Sequence, residues 1–175
     1  MTSSPNRRRT AQLAVTATAC LSLVGAAVAS PSANASAYDD DLKAVRTATA
    51  RFHSTGQAVR AGYEATPVCV SIPSGPAMGI HYENAALMAD PAIDPRRPEV
   101  LLYAPGEDGR LELVAVEYYR SATGATGTPV LFGIPFDGPT PAHHPGMDTH
   151  YDLHVWLWEP NPAGTFAPFN PAVSC

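Results

Sequence analysis

Positive charge is scarce in this chain: eleven lysines and arginines face sixteen aspartates and glutamates over 175 residues. Cysteine is scarcer still, at three residues, which rules out a zinc ribbon built on two cysteine pairs. The catalytic signatures that a single chain can display are missing as well. No Gly-x-Ser-x-Gly turn presents a nucleophilic serine, no glycine-rich loop is spaced to cradle phosphate, and no His-Glu-x-x-His pair occurs. No internal repeat is present. Any chemistry must therefore be assembled from residues far apart in sequence.

What is there begins with Arg7-Arg8-Arg9, followed by an uncharged apolar run from Ala11 to Ala29 and then by small residues. This order predicts an export signal over residues 1–35. Small-x-small cleavage sites end at Ala29 and at Ala35, and Ala35 is the preferred one. The run is nearly long enough to span a bilayer, but its Ala/Thr-rich composition favours a cleaved leader over a retained anchor. Apolar residues continue well past Cys20, which argues against lipid attachment there. Removing residues 1–35 leaves 140, enough for one domain with its own core, and the expected unit is a single secreted α+β domain over 36–175. The leader carries three of the eleven basic residues and none of the acidic ones, so eight positive side chains remain against sixteen negative, a charge of −8. Such a surface disfavours nucleic acid and anionic membranes as partners, and no membrane insertion is expected after cleavage. Cys69 and Cys175 are then the remaining cysteines in an oxidising compartment, and they are expected to pair. They stand 106 residues apart, and closing a loop of that length stabilises the fold by up to about 4–5 kcal/mol in the chain-entropy model.

Three aspartates, Asp39 to Asp41, precede an apolar stripe of Leu42, Val45, Thr49, Phe52, Gly56, Val59 and Tyr63. Steps of three and four predict a helix over about 41–61, stopped by Gly62. Gly56 inside it predicts either a close approach to a sheet or a local break. His53 lies beside the stripe, as a boundary histidine or as an added member of a site. Short strands are predicted at 66–72 and 78–82, Asn84 caps a helical turn through Met88, and 99–104 with 111–119 form a hairpin. The segment 121–149 is rich in Gly, Pro and Thr and reads as a lid or an edge strand with a loop, its His143 and His144 solvated. A proline-rich tail follows residue 158. The expected fold class is α+β, an N-terminal helix packed on an antiparallel β-sheet.

The most informative stretch runs from His150 to Trp158. Strict alternation puts Tyr151, Leu153, Val155 and Leu157 on a core face, and His150, Asp152, His154, Trp156 and Trp158 on the other. The same parity places Gly79 and His81 opposite Met78, Ile80 and Tyr82, with Gly79 leaving room beside the histidine. It also places Leu113, Ala115, Glu117 and Tyr119 opposite Val114, Val116 and Tyr118. Glu117 is a carboxylate inside an apolar strand, and a buried carboxylate needs a cation or hydrogen-bond donors. His81, Glu117, His150 and His154 are thus candidate ligands for a divalent transition metal, Zn²⁺, Mn²⁺, Fe²⁺, Ni²⁺ or Cu²⁺. Glu117 doubles as a candidate catalytic base, with Asp152, Tyr119 and Trp156 as residues that support the site or touch a ligand. His150 and His154 are four apart on a strand, ~13 Å, too far to share one ion unless the strand bends. The competing expectation is a hydrogen-bonded polar layer under the 121–149 loop.

Met78-Gly-Ile-His-Tyr82, Pro98-Glu-Val-Leu-Leu-Tyr103, Leu113-Val-Ala-Val-Glu-Tyr118, His150-Tyr-Asp-Leu-His-Val-Trp156 and the tail from Asn161-Pro-Ala-Gly164 through Phe169-Asn-Pro171 resemble the motif series of a family of uncharacterised exported bacterial proteins. The resemblance covers most of residues 40–175. It implies an exported, complete chain and no particular activity. Two functions follow from the residues themselves. One is a secreted protein binding a metal or small ligand at a His/Glu site, with metal-dependent catalysis as its extension. The other is a non-catalytic cell-envelope protein using Trp156 and Trp158 to contact a sugar, peptide or partner.

Overall fold

The three aspartates do not open the first helix but lie inside it. In the computed structural model, which describes Met1 and residues 33–175, helix α1 spans Ala33–Thr49. The expected leader lies outside the described residues except for Met1 and its last three positions. A 3₁₀ turn over Ala50–His53 and a short α2 over Thr55–Arg60 replace the second half of the predicted continuous helix. The break falls at Ser54, whose backbone is extended (φ −94°, ψ 111°). A Cβ on Gly56 would meet nothing closer than 3.5 Å, so this glycine accompanies the break and not a close approach. The Phe52 carbonyl accepts a hydrogen bond from the Tyr103 hydroxyl, which ties the broken turn to a strand instead of to the next helical turn. Gly62 ends the segment with φ +93°, as a helix-terminating glycine should.

Six strands form one antiparallel sheet: β1 (Glu64–Ser71), β2 (Ala77–Glu83), β3 (Val100–Pro105), β4 (Leu111–Ser121), β7 (Asp137–Thr140) and β8 (His150–Trp156). Their order is β1-β2-β3-β4-β8-β7. A two-stranded ribbon of β5 (Val130–Leu131) and β6 (Ile134–Pro135) stands apart, and α3 (Ala85–Met88) is capped by the Asn84 side chain, which accepts from the Leu87 N–H. The fold is α+β. Residues Pro31–Cys175 cluster as one compact unit. Among the described residues no helix is long and apolar enough to cross a membrane.

One sheet face carries Tyr82, Leu101, Tyr103, Val116, Tyr118, Leu153 and Val155 in a buried cluster that also includes Val45, Phe52 and Ala58. The opposite face is divided. Toward one end Leu102, Ala115 and Trp156 pair across the strands and are buried with Ala77 and Val173. The C-terminal tail covers this end: Ala77 and Asn170 form a backbone bridge, and the Trp156 indole N–H donates to the Ala167 carbonyl at 2.7 Å. Cys69 and Cys175 are disulfide-bonded, as expected, fastening the tail to β1.

Three irregularities in register decide which side chains reach the other end. On β4, Leu102 faces Ala115 while Tyr103 faces Leu113, so Val114 is an extra residue. Leu113 consequently joins the Val116/Tyr118 cluster and Val114 the Trp156 cluster, the reverse of strict alternation. On β2 the extra residue is Met78, next to Gly79 at φ +103°. Gly79 makes no room for His81: a Cβ there would sit 2.4 Å from the Tyr103 carbonyl oxygen, so the glycine permits close approach of β3. On β1, Ala65 and Cys69 face Tyr82 and Ile80, and Thr66 to Val68 arch out between them.

Candidate metal centre

Beyond the Val114 bulge the β4 alternation holds, and Val100, Glu117 and His154 stand in one row across β3, β4 and β8. His81 pairs with Leu102 on the same face, one step along the sheet. Its Nε2 lies 3.3 Å from Glu117 Oε2, and His154 Nε2 lies 3.6 Å from the same oxygen. One ligand atom from each of the three residues falls within 4.8 Å of the other two, and all three residues are buried. They can hold a metal ion.

Proximity here is not hydrogen bonding. His81 Nδ1, Glu117 Oε2 and both ring nitrogens of His154 find no hydrogen-bond partner among the described residues. Each unsatisfied buried polar atom costs about 1–3 kcal/mol, so a fully dry, ion-free cluster is an expensive arrangement. A cation accepts the lone pairs of the oxygen and of the facing ring nitrogens at once. Burial alone would raise the Glu117 pKa, but the His154 and His81 imidazoles outweigh it and hold the carboxyl well below the usual carboxylate range. Burial lowers the pKa of His154, and Glu117 and then Asp152 more than reverse this, so it is raised.

Asp152 stands behind His154, with Oδ2 3.3 Å from Nδ1, and its Oδ1 accepts from the Thr140 hydroxyl at 3.2 Å. A carboxylate on the far ring nitrogen of a ligating histidine fixes the ring and raises its basicity. His150 does not join the three. Its Nδ1 sits 2.9 Å from the Asp148 carbonyl oxygen and its Nε2 3.9 Å from Asp152 Oδ1. Tyr119 stacks on the His150 ring at 4.9 Å between centroids. Trp156, expected to touch a ligand, is buried under the tail and is not among the residues that line the cleft. Trp158 lies past the end of β8, where alternation no longer applies. It packs with the cluster of Leu101, Tyr118 and Leu153, edge-on to His53 at 4.3 Å and beneath Arg46 at 4.2 Å. His53 is exposed and takes no part in the site.

The cluster forms the floor of a cleft of about 700 Å³, within the range of small-molecule sites. The β1 arch, the β7–β8 loop and the tail make its walls. Several lining residues escaped the sequence. Glu83 was within reach of the reasoning, two residues after His81 and so on the same face. His144 was not, because it comes in from the loop to put Nε2 3.0 Å from Glu83 Oε1; it is half-buried and not simply solvated, whereas His143 is exposed. Met78 reaches the cleft only through the β2 bulge. Glu99 is buried near the cluster, accepts from the Tyr119 N–H at 3.1 Å, and is pushed up to about 7 by burial.

Fold and site together define a class: an α+β chain whose antiparallel sheet carries a buried two-histidine, one-carboxylate group at the floor of a cleft. Compared with known proteins, the chain matches no family model, and no curated protein or solved structure is significantly similar to it.

Proposed function

We propose that this is an exported metal-binding protein in which His81, Glu117 and His154 hold one divalent transition ion at the floor of the cleft. The supporting observation is the convergence of three buried ligand atoms from three strands, all within 4.8 Å of one another. Two histidines and one carboxylate are the donor set of catalytic zinc and non-haem iron sites, and such a set leaves coordination positions open. Zn²⁺, Mn²⁺, Fe²⁺, Ni²⁺ and Cu²⁺ all suit it. When bound, such an ion polarises water or a carbonyl oxygen, which extends the proposal to metal-dependent catalysis. In that arrangement Glu117 anchors the ion and is not free to act as a base, Asp152 orients His154, and the cleft walls limit access of water.

The export part is supported by Arg7-Arg8-Arg9 with the apolar run behind it and by a disulfide that suits an oxidising compartment. We take residues 36–175 as one domain in which α1 covers the sheet face opposite the cleft, a placement supported by Val45 in the buried cluster of Leu101 and Leu153. The alternative, an envelope protein binding through Trp156 and Trp158, is weakened because neither indole lines the cleft. Metal analysis of the full chain purified without chelators tests the proposal. Near one ion per chain, with a thermal shift on adding Zn²⁺, Mn²⁺ or Cu²⁺, is expected; no ion and no shift with any of them overturns it.

A further inference from the structure

The cleft above the three ligands is divided by polarity. Imidazoles and carboxylates make its floor and one flank, where His144 links the loop to Glu83 at the rim. The other flank, made by β1 with its arch, the β2 bulge and the tail, carries Pro67, Val68, Val70, Met78 and Phe169. Val68 is 59% exposed, although an edge strand ordinarily protects itself with polar or charged side chains. The reason it is there is local. β1 uses four residues where β2 uses two, so Thr66 to Val68 leave the sheet plane and line the cleft. The Cys69–Cys175 disulfide holds this arch and the tail together, and so keeps the apolar flank in place without a packed layer of its own.

Charge narrows the choice of occupant further. A divalent ion with Glu117 leaves one net positive charge, and Asp152 and Asp137 stand close by. With those two carboxylates nearby, an oxygen head is held by direct coordination to the ion and carries at most one negative charge; a polyanion is repelled. From this juxtaposition we propose that the site takes a small molecule with a singly charged or neutral oxygen head that coordinates the metal, and an alkyl or aryl body lying along Val68, Val70, Met78 and Phe169. The inference rests on the metal reading above.

Alkyl hydroxamates supply both parts in one probe. The zinc-loaded full chain is titrated calorimetrically with acetohydroxamate and octanohydroxamate, and the zinc-free chain in parallel. Octanohydroxamate is expected to bind on the order of 100-fold more tightly, as partial burial of its extra methylenes requires, and only when zinc is present. Val68→Ser, which removes apolar surface at an exposed position without adding charge, should cut that advantage about fivefold and leave the affinity of acetohydroxamate, which has no alkyl chain to lie there, unchanged. Equal affinity of both hydroxamates for the zinc-loaded chain overturns the apolar-body inference while the metal site stands. Equal binding of octanohydroxamate with and without zinc overturns the placement of its head on the metal. Failure of the chain to take up zinc at all overturns the metal reading, and this inference with it.

Discussion

Glu117 and His154 are direct cross-strand partners on β4 and β8, and His154 Nε2 lies 3.6 Å from Glu117 Oε2. Neither of these two atoms has a hydrogen-bond partner among the described residues. A pair of opposed groups held this close, buried and unsatisfied is costly as pure structure. It is well suited to sharing a cation with His81.

Replacing His154 with Ala, or His81 with Ala, is expected to weaken Zn²⁺ binding by at least about 100-fold, since each removes one of three donors. Chelator competition measures the loss. The far-UV circular dichroism of His154→Ala should stay close to that of the parent, because Leu153 and Val155 on the other face of β8 are untouched.

Metal affinity should rise with pH through the neutral range. The raised pKa of His154 means that a proton occupies the ring until the pH passes that value, and the metal must displace it. Glu117, held low, stays ionised throughout and adds no slope there. Isothermal titration in buffers of different ionisation enthalpy should show proton release on binding; a pH-independent affinity between pH 6 and about 8 would count against His154 as a ligand.

Asp152→Asn keeps the shape beside His154 Nδ1 and removes the charge. Losing such an outer partner typically costs 10–100-fold in metal affinity. The ratio of parent to variant dissociation constants decides this, and an unchanged ratio would relieve Asp152 of its orienting role.

Reducing the Cys69–Cys175 bond, or replacing both residues with serine, should lower stability by about 2–5 kcal/mol. Urea unfolding measures it. The cleft flank formed by the β1 arch and the tail should loosen first, seen as faster amide exchange at Val68, Val70 and Phe169.

Glu99 offers a pH signature independent of the metal. Its pKa is raised from 4.5 to about 7 by burial, so the folded chain holds this proton more tightly than the unfolded one. The stability it contributes is complete below about pH 4.5 and is lost as the pH rises toward 7. Glu99→Gln, whose side-chain oxygen can still accept from the Tyr119 N–H, should therefore be near neutral at pH 4.5 and stabilising by roughly 1–3 kcal/mol at pH 8. A variant equally stable or less stable than the parent at pH 8 would refute the buried-proton account.

The sequence by itself determined the parts that depend on short-range periodicity and on composition. Alternation along 150–156 assigns His154 and Asp152 to one face because successive strand side chains must point to opposite sides. The pairing of Cys69 with Cys175 followed from their being the cysteines left beyond the expected leader. Gly62 was legible as a helix stop because it tolerates φ +93°. What only the tertiary structure decided were the places where one strand carries more residues than its neighbour. The insertions at Val114, at Met78 and at Thr66 to Val68 arise from how two strands fit each other, and neither strand shows them alone. They exchange the faces of Leu113 and Val114, bring Met78 into the cleft and raise the apolar arch. Strand order, likewise invisible in alternation, set His81 of β2 within 3.3 Å of Glu117 across the intervening β3. Trp158 was misplaced because alternation ends where β8 ends, at Trp156, and beyond it the chain follows its packing against His53 and Arg46.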